Sequence, residues 1–216
     1  MPTAWVAAPQ DALLREVAAA LDDPHCSGVA ILGADGVGKT LLARSAAAAF
    51  ADPSTLVHRV VGTATERSIP FGAFRALLAD ADITETGRPA ELLRAAQEHL
   101  AGDDAQQLFV IDDAHHLDHL SATLIYQLAV GGSARLIVTV RSGAELPDAV
   151  AALWADELLN RVKVGPLDAA ATTALLERAL PAPPDAGVAD EAFAHSQGNP
   201  LHLRHLVDSE IGRAHV

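Results

Sequence analysis

Gly28-Val-Ala-Ile-Leu-Gly-Ala-Asp-Gly-Val-Gly-Lys-Thr40 is the stretch that decides the fold. Its first five residues form a short apolar run ending at a glycine, which reads as a buried strand. Residues 38–50 (GKTLLARSAAAAF) then read as a helix. The turn between them, GADGVGKT, matches G-x-x-x-x-G-K-[ST] in full. Each position has a physical reason. Gly33, Gly36 and Gly38 permit a tight turn that aims main-chain N–H groups inward, and Ala34, Asp35, Val37 and Leu41 complete the cradle. The helix start adds unpaired N–H groups and the positive end of its dipole. Lys39 places a cation on β- and γ-phosphates, and the Thr40 hydroxyl suits Mg²⁺. The chain holds only two lysines, Lys39 and Lys163, and one of them stands where phosphate chemistry requires it.

Outward from this motif the chain alternates helices with short apolar strands. Residues 9–22 place Leu13, Leu14, Val17 and Leu21 on one helical face. Further strands are expected at 56–61, 108–111, 134–140 and 159–164. Helices are expected at 71–79, 89–101, 119–130 and 147–154. Five strands separated by helices imply right-handed crossovers and a parallel sheet covered on both faces, an α/β fold. After Pro166 the pattern turns helical, at 168–180, 187–195 and a last helix to about 210, with PAPPD (181–185) as a stiff break. Two units are therefore expected: a phosphate-loop unit over 1–165 and a small helical attachment over 166–216.

The run LFVIDDAHHLD, Leu108 to Asp118, carries two acids at a strand end, as in the second NTPase motif known as Walker B. A parallel strand delivers its C-terminal residues to the ligand crevice. Asp112 is expected to hold Mg²⁺ and Asp113 to polarise the attacking water. The bland alternative is a strand running into an Asp helix cap. His115, His116 and His119 invite a metal site, but no acidic or cysteine partner completes a set; His115 is instead a candidate for the γ-phosphate side. In RLIVTVRSG, Arg141 just past the fourth strand could report the γ-phosphate, with Thr139 a weaker candidate because a β-branched residue suits a strand anyway. In QGNPL, Gly198 reads as a helix C-cap and Pro200 as either a first helical residue or a lid contact over a base.

Composition narrows the function. Half of the 216 residues are hydrophobic and only 4% aromatic, so Leu, Val and Ala must build the core. A net charge of −13 makes the chain a poor direct partner for nucleic acid. One cysteine, Cys26, excludes an internal disulfide or a multi-cysteine zinc site. No apolar run reaches membrane-spanning length and no signal peptide is read, so a cytoplasmic location is expected.

Together, GADGVGKT, FVIDDAHHLD, LIVTVRS, RVKVGPLDAAATTALL, QGNPLHLRHL and SIPFGAFRALL (Ser68 to Leu78) resemble the ATPase domain of STAND-class regulators, most nearly the large LuxR-type, MalT-related transcriptional regulators. The resemblance spans about residues 5–212. It implies a P-loop (ASCE-type) sheet of order 5-1-4-3-2 followed by a helical lid, with ATP and ADP holding different conformations. It implies that Lys39 and Thr40 serve phosphate and Mg²⁺, Asp112 and Asp113 form the Walker B pair, Arg141 is a sensor and Pro200 a lid contact. The chain departs from such regulators in lacking their Gly-Arg motif near the first helix, where WVAAPQDALL stands. It also stops at IGRAHV without their winged-helix, sensor-array and DNA-binding regions, and so reads as an isolated domain or a truncated relative.

The function expected is a switch module that binds ATP·Mg²⁺ and hydrolyses it slowly, with Lys39, Asp113 and Arg141 as its catalytic residues. Its partners would be ATP or ADP and other domains or proteins, with no membrane and no direct nucleic-acid contact. The rivals are an adaptor that uses nucleotide only for stability, and a P-loop kinase acting on a small molecule.

Overall fold

The computed structural model describes residues 11–81, 87–100, 106–180 and 182–214. Five strands, β1 (Gly28–Gly33), β2 (Thr55–Val61), β3 (Gln106–Asp112), β4 (Ala134–Arg141) and β5 (Leu159–Val164), form one sheet in the order β2-β3-β4-β1-β5. Every pairing is parallel. This is the order 5-1-4-3-2 read from the other edge.

Alternation along the strands feeds two cores. Val29, Ile31, Leu108, Val110, Ile137, Val162 and Val164 face α1 (Asp11–Asp22) and α2 (Lys39–Phe50). Ala30, Phe109, Ile111, Leu136 and Val138 face α3 (Pro89–Leu100), α4 (His119–Val130) and α5 (Asp148–Ala155). The period of two in a strand thus supplies opposite layers of helices from one apolar run. Buried Ala43, Ala46 and Ala47 bring α2 close against the sheet.

The strand expectations hold to within two residues at either end. Residues 71–79 do not form the expected helix. A 3₁₀ turn, Gly72–Phe74, is followed by further turns. The cause is tertiary. Phe71 sits at φ 52° and its N–H is held by the buried Asp118 carboxylate at 3.1 Å. That anchor bends the chain so that Phe74 and Leu78 reach the core without a continuous helix.

Asp118 also caps α4, accepting from the N–H groups of Leu120 and Ser121 at 3.0 and 3.1 Å and from the Ser121 hydroxyl. One carboxylate therefore ends a loop and starts a helix. Helices α6 (Ala169–Ala179), α7 (Ala186–Ser196) and α8 (Pro200–Ala214) share a cluster of Leu175, Leu176, Ala189, Leu203 and Val207. Leu167 N–H donates to Gly198 O at 2.8 Å, which ties the segment entering α6 to the turn before α8. The left-handed cap of α7 is Gln197 at φ 51°, one residue earlier than the expected Gly198. Pro200 is the first residue of α8, as expected.

Replacing Asp118 by Ala leaves three backbone donors without their acceptor and is expected to lower stability by about 1–3 kcal/mol. Urea unfolding of the variant against wild type measures this.

Candidate nucleotide site

The C-terminal ends of β1, β3 and β4 lie side by side. In the β1–β4 register Ile31 pairs with Thr139 and Gly33 with Arg141. In the β3–β4 register Ile111 pairs with Val138, which sets Asp112 beside Thr139. A parallel sheet presents all of these ends to one crevice.

The phosphate-loop residues Gly33 to Thr40 lead into α2. Its N-cap, Gly38, offers no side-chain cap, so the first turn of α2 presents open N–H groups. Gly36 has φ 77° and lies against α8: a Cβ there would sit 2.6 Å from Asn199 Oδ1 and 2.7 Å from the Leu201 Cβ. Lys39 is buried, and its Nζ donates to Ala34 O at 2.8 Å, folding the ammonium back over its own loop.

A chain of hydrogen bonds links the candidate metal and water residues. The Thr40 hydroxyl donates to Asp112 Oδ1 at 3.0 Å, and the Thr139 hydroxyl donates to the same oxygen at 2.6 Å. Thr139 Oγ1 in turn accepts the Asp113 N–H at 2.9 Å. Thr139 is fully buried. Its hydroxyl therefore fixes the Asp112 carboxylate and the Asp113 main chain, a larger part than strand propensity suggests. A signal for it existed in the sequence, since a hydroxyl amid Ile137, Val138 and Val140 must find a partner once buried.

Asp113 adopts φ 51°, and its side chain makes no cap bond to the 3₁₀ turn Ala114–His116 that follows. The helix-cap alternative for this residue is thus excluded; the α4 cap is Asp118. Gly62 lets the chain pass close to this turn, because a Cβ at residue 62 would stand 2.5 Å from Asp113 O. The Asp112 carboxylate accepts the two hydroxyls, whereas Asp113 joins the series through its main-chain N–H. Thr40 and Asp112 form a small, hard oxygen set of the type that suits Mg²⁺, which takes few protein ligands and keeps the rest for water and phosphate. Among the described residues no group of three or more His, Cys, Asp or Glu could hold a metal ion. His115 lies in the 3₁₀ turn and His119 begins α4, so the two share no helix face.

Arg141 reaches the phosphate loop from β4 and pairs with Asp35 at 3.0 Å. Both side chains are more than half exposed, so this pair contributes about 0–1 kcal/mol. Two hydrogen bonds join α8 to the same loop: Asn199 Nδ2 donates to Asp35 O at 2.8 Å and Leu201 N to Gly36 O at 3.3 Å.

Between the loop and α8 lies a cavity of about 490 Å³. Its lining includes Lys39, Thr40 and Asp113 together with Leu41, Arg44, Pro200, Leu201 and Arg204. Pro200 thus borders the crevice. Leu201 and Arg44 went unread in the sequence, where an exposed residue on a helix carries no signal of what packs opposite it.

His115 is buried and its ring lies 4.0 Å from that of His116. Burial, helped by the neighbouring His116, holds its pKa below the ordinary histidine value, so it is neutral at pH 7.

A family profile described as the AAA domain matches residues 22–145, more than half of the chain. The chain belongs to the AAA domain family. It is a P-loop nucleotide-binding module with the five-stranded core of that family.

Solved AAA-type structures share its fold. The Aeropyrum pernix Orc1 protein, in complex with DNA, superposes with a TM-score of 0.66 at 20% identity, over 96% of this chain and 61% of that one. AMPPCP-bound DnaA from Aquifex aeolicus gives 0.60 at 13% identity, over 91% and 58%. Cdc6p from Pyrobaculum aerophilum gives 0.58 at 19% identity, over 82% and 50%. The chain thus spans between half and about three fifths of these proteins. No curated protein matches it at the sequence level. Among the described residues no helix is long and apolar enough to cross a membrane.

Thr139→Val keeps the shape of the side chain but leaves the Asp113 N–H without an acceptor and Asp112 with one donor fewer. Stability is expected to fall by about 1–3 kcal/mol, read by chemical denaturation.

Proposed function

We propose that the chain is a nucleotide-gated switch that binds ATP with Mg²⁺ and hydrolyses it slowly. The observation that carries this reading is the unbroken series Thr40–Asp112–Thr139–Asp113 at the mouth of a complete phosphate loop. The main-chain N–H groups of residues 34–41 would receive the phosphates, and Lys39 would leave Ala34 O for the β- and γ-oxygens. Thr40 and Asp112 would hold Mg²⁺, which when bound neutralises phosphate charge. Asp113 would orient a water and accept its proton as the water oxygen bonds to the γ-phosphorus. The bond from that phosphorus to the bridging oxygen would break, leaving ADP and phosphate.

Arg141 would exchange Asp35 for the γ-phosphate. The existing pair is weak and exposed, whereas a γ-phosphate offers more charge and a forked geometry. Residues 166–216 would act as a lid, with Pro200 against the base, since α8 is already bonded to the loop through Asn199 and Leu201. Loss of the γ-phosphate would return Arg141 to Asp35 and relax that contact. This is the logic of phosphate-sensing switches.

Membership of the AAA family and the motif set support placing this module in a STAND-class, LuxR-type regulator of the cytoplasm. Its partners would be the other domains of such a protein or proteins that read the lid. Orc1 has been seen with DNA; the net charge of −13 favours protein partners for this chain. The rival reading is an adaptor without turnover. It is favoured by the way Lys39 and Arg141 are already satisfied within the protein.

Three measurements test the proposal. Lys39→Ala is expected to abolish ATP binding in calorimetry, and unchanged affinity rejects the site. Arg141→Ala is expected to weaken ATP about tenfold while leaving ADP affinity within twofold. Saturating ATP·Mg²⁺ at a hundredfold excess over Kd is expected to stabilise the fold by about 2.7 kcal/mol. Stabilisation without phosphate release would favour the adaptor.

A further inference from the structure

The most unusual polar atom near the site is His115 Nδ1. It is shut off from solvent and has no hydrogen-bond partner. A buried ring nitrogen in that state carries a desolvation cost that native structures rarely leave unanswered. Asp113 Oδ1 lies 3.9 Å from it, about 1 Å beyond hydrogen-bond reach.

The two residues differ in freedom. The His115 side chain is 7% exposed and its ring rests on that of His116, so it cannot move far. The Asp113 backbone is pinned on both sides, by its N–H to Thr139 Oγ1 and by its carbonyl, which accepts from His116 N–H at 2.9 Å. The Asp113 carboxylate is 42% exposed and forms part of the wall of the nucleotide cavity. Its side-chain torsions are the freedom left to bring a carboxylate oxygen to Nδ1.

We propose that His115 is a positioning residue for Asp113: the neutral imidazole donates Nδ1–H to one carboxylate oxygen when nucleotide fills the site, leaving the other oxygen aimed at the attacking water. Before nucleotide arrives the carboxylate is solvated and the bond is open. When the cavity fills and water leaves, His115 supplies the donor that replaces it. The imidazole neither gains nor loses a proton in this step. The inference rests on the assignment of Asp113 as the water-orienting acid.

The test uses the full chain and separates donor from packing. His115→Phe keeps a buried ring and removes the donor. His115→Asn loses the ring but places an amide N–H at the position of Nδ1. ATP affinity is measured by calorimetry, and kcat and KM by phosphate release, for wild type, both variants and Asp113→Asn, each with a thermal melt. The phenylalanine variant is expected to lower kcat at least tenfold, with KM and ATP affinity within twofold, and the asparagine variant to restore most of kcat. If the phenylalanine variant melts well below wild type, His115→Leu replaces it.

Wild-type kcat in the donor-less variant overturns the inference alone. So does an asparagine variant as slow as the phenylalanine one, because packing then explains the loss. A chain that hydrolyses ATP while Asp113→Asn remains fully active overturns the assignment of Asp113 and the inference with it. A chain that binds ATP and never releases phosphate does the same.

Discussion

A single carboxylate oxygen, Asp112 Oδ1, accepts two hydroxyls from different parts of the chain, and the site is organised around that fact. Thr40 brings it the start of α2, and Thr139 brings it the end of β4. A carboxylate set partly inside the protein is costly unless its lone pairs are answered. Answering them here locks the helix that follows the phosphate loop to the sheet and sets the neighbouring Asp113. The same constraint thus brings Thr40, Asp112, Thr139 and Asp113 together.

The fold makes this economical. β1, β3 and β4 are adjacent although they are far apart in sequence, because parallel crossovers reorder the strands. The ends of these strands then converge without any long loop. Helix α2 packs closely because its inner face is alanine, and the close approach keeps its uncapped N-terminus over the crevice. Helices α6, α7 and α8 have their own apolar cluster but reach the phosphate loop through Asn199 and Leu201.

Two charges at the site are held in contacts within the protein. Lys39 rests on a carbonyl and Arg141 on an exposed carboxylate. The Arg141 pair is exposed and weak, whereas Lys39 lies buried against its carbonyl. His115 is the contrary case, a buried group with its partner just out of reach.

The amino-acid sequence alone determined the phosphate loop, the acidic strand end and the strand positions, because each is written in a local pattern of period, glycine and charge. Strand order came from likeness to a family, since nothing local encodes which strands become neighbours. Tertiary structure alone decided the rest. Phe71 bends away from a helix because Asp118, far along the chain, holds its N–H. Thr139 became the link between two acids because folding placed its hydroxyl beside them. Arg141 found Asp35, and His115 came to lie beside Asp113 without touching it, for the same reason: side-chain partners depend on distances that the chain acquires only after it has folded.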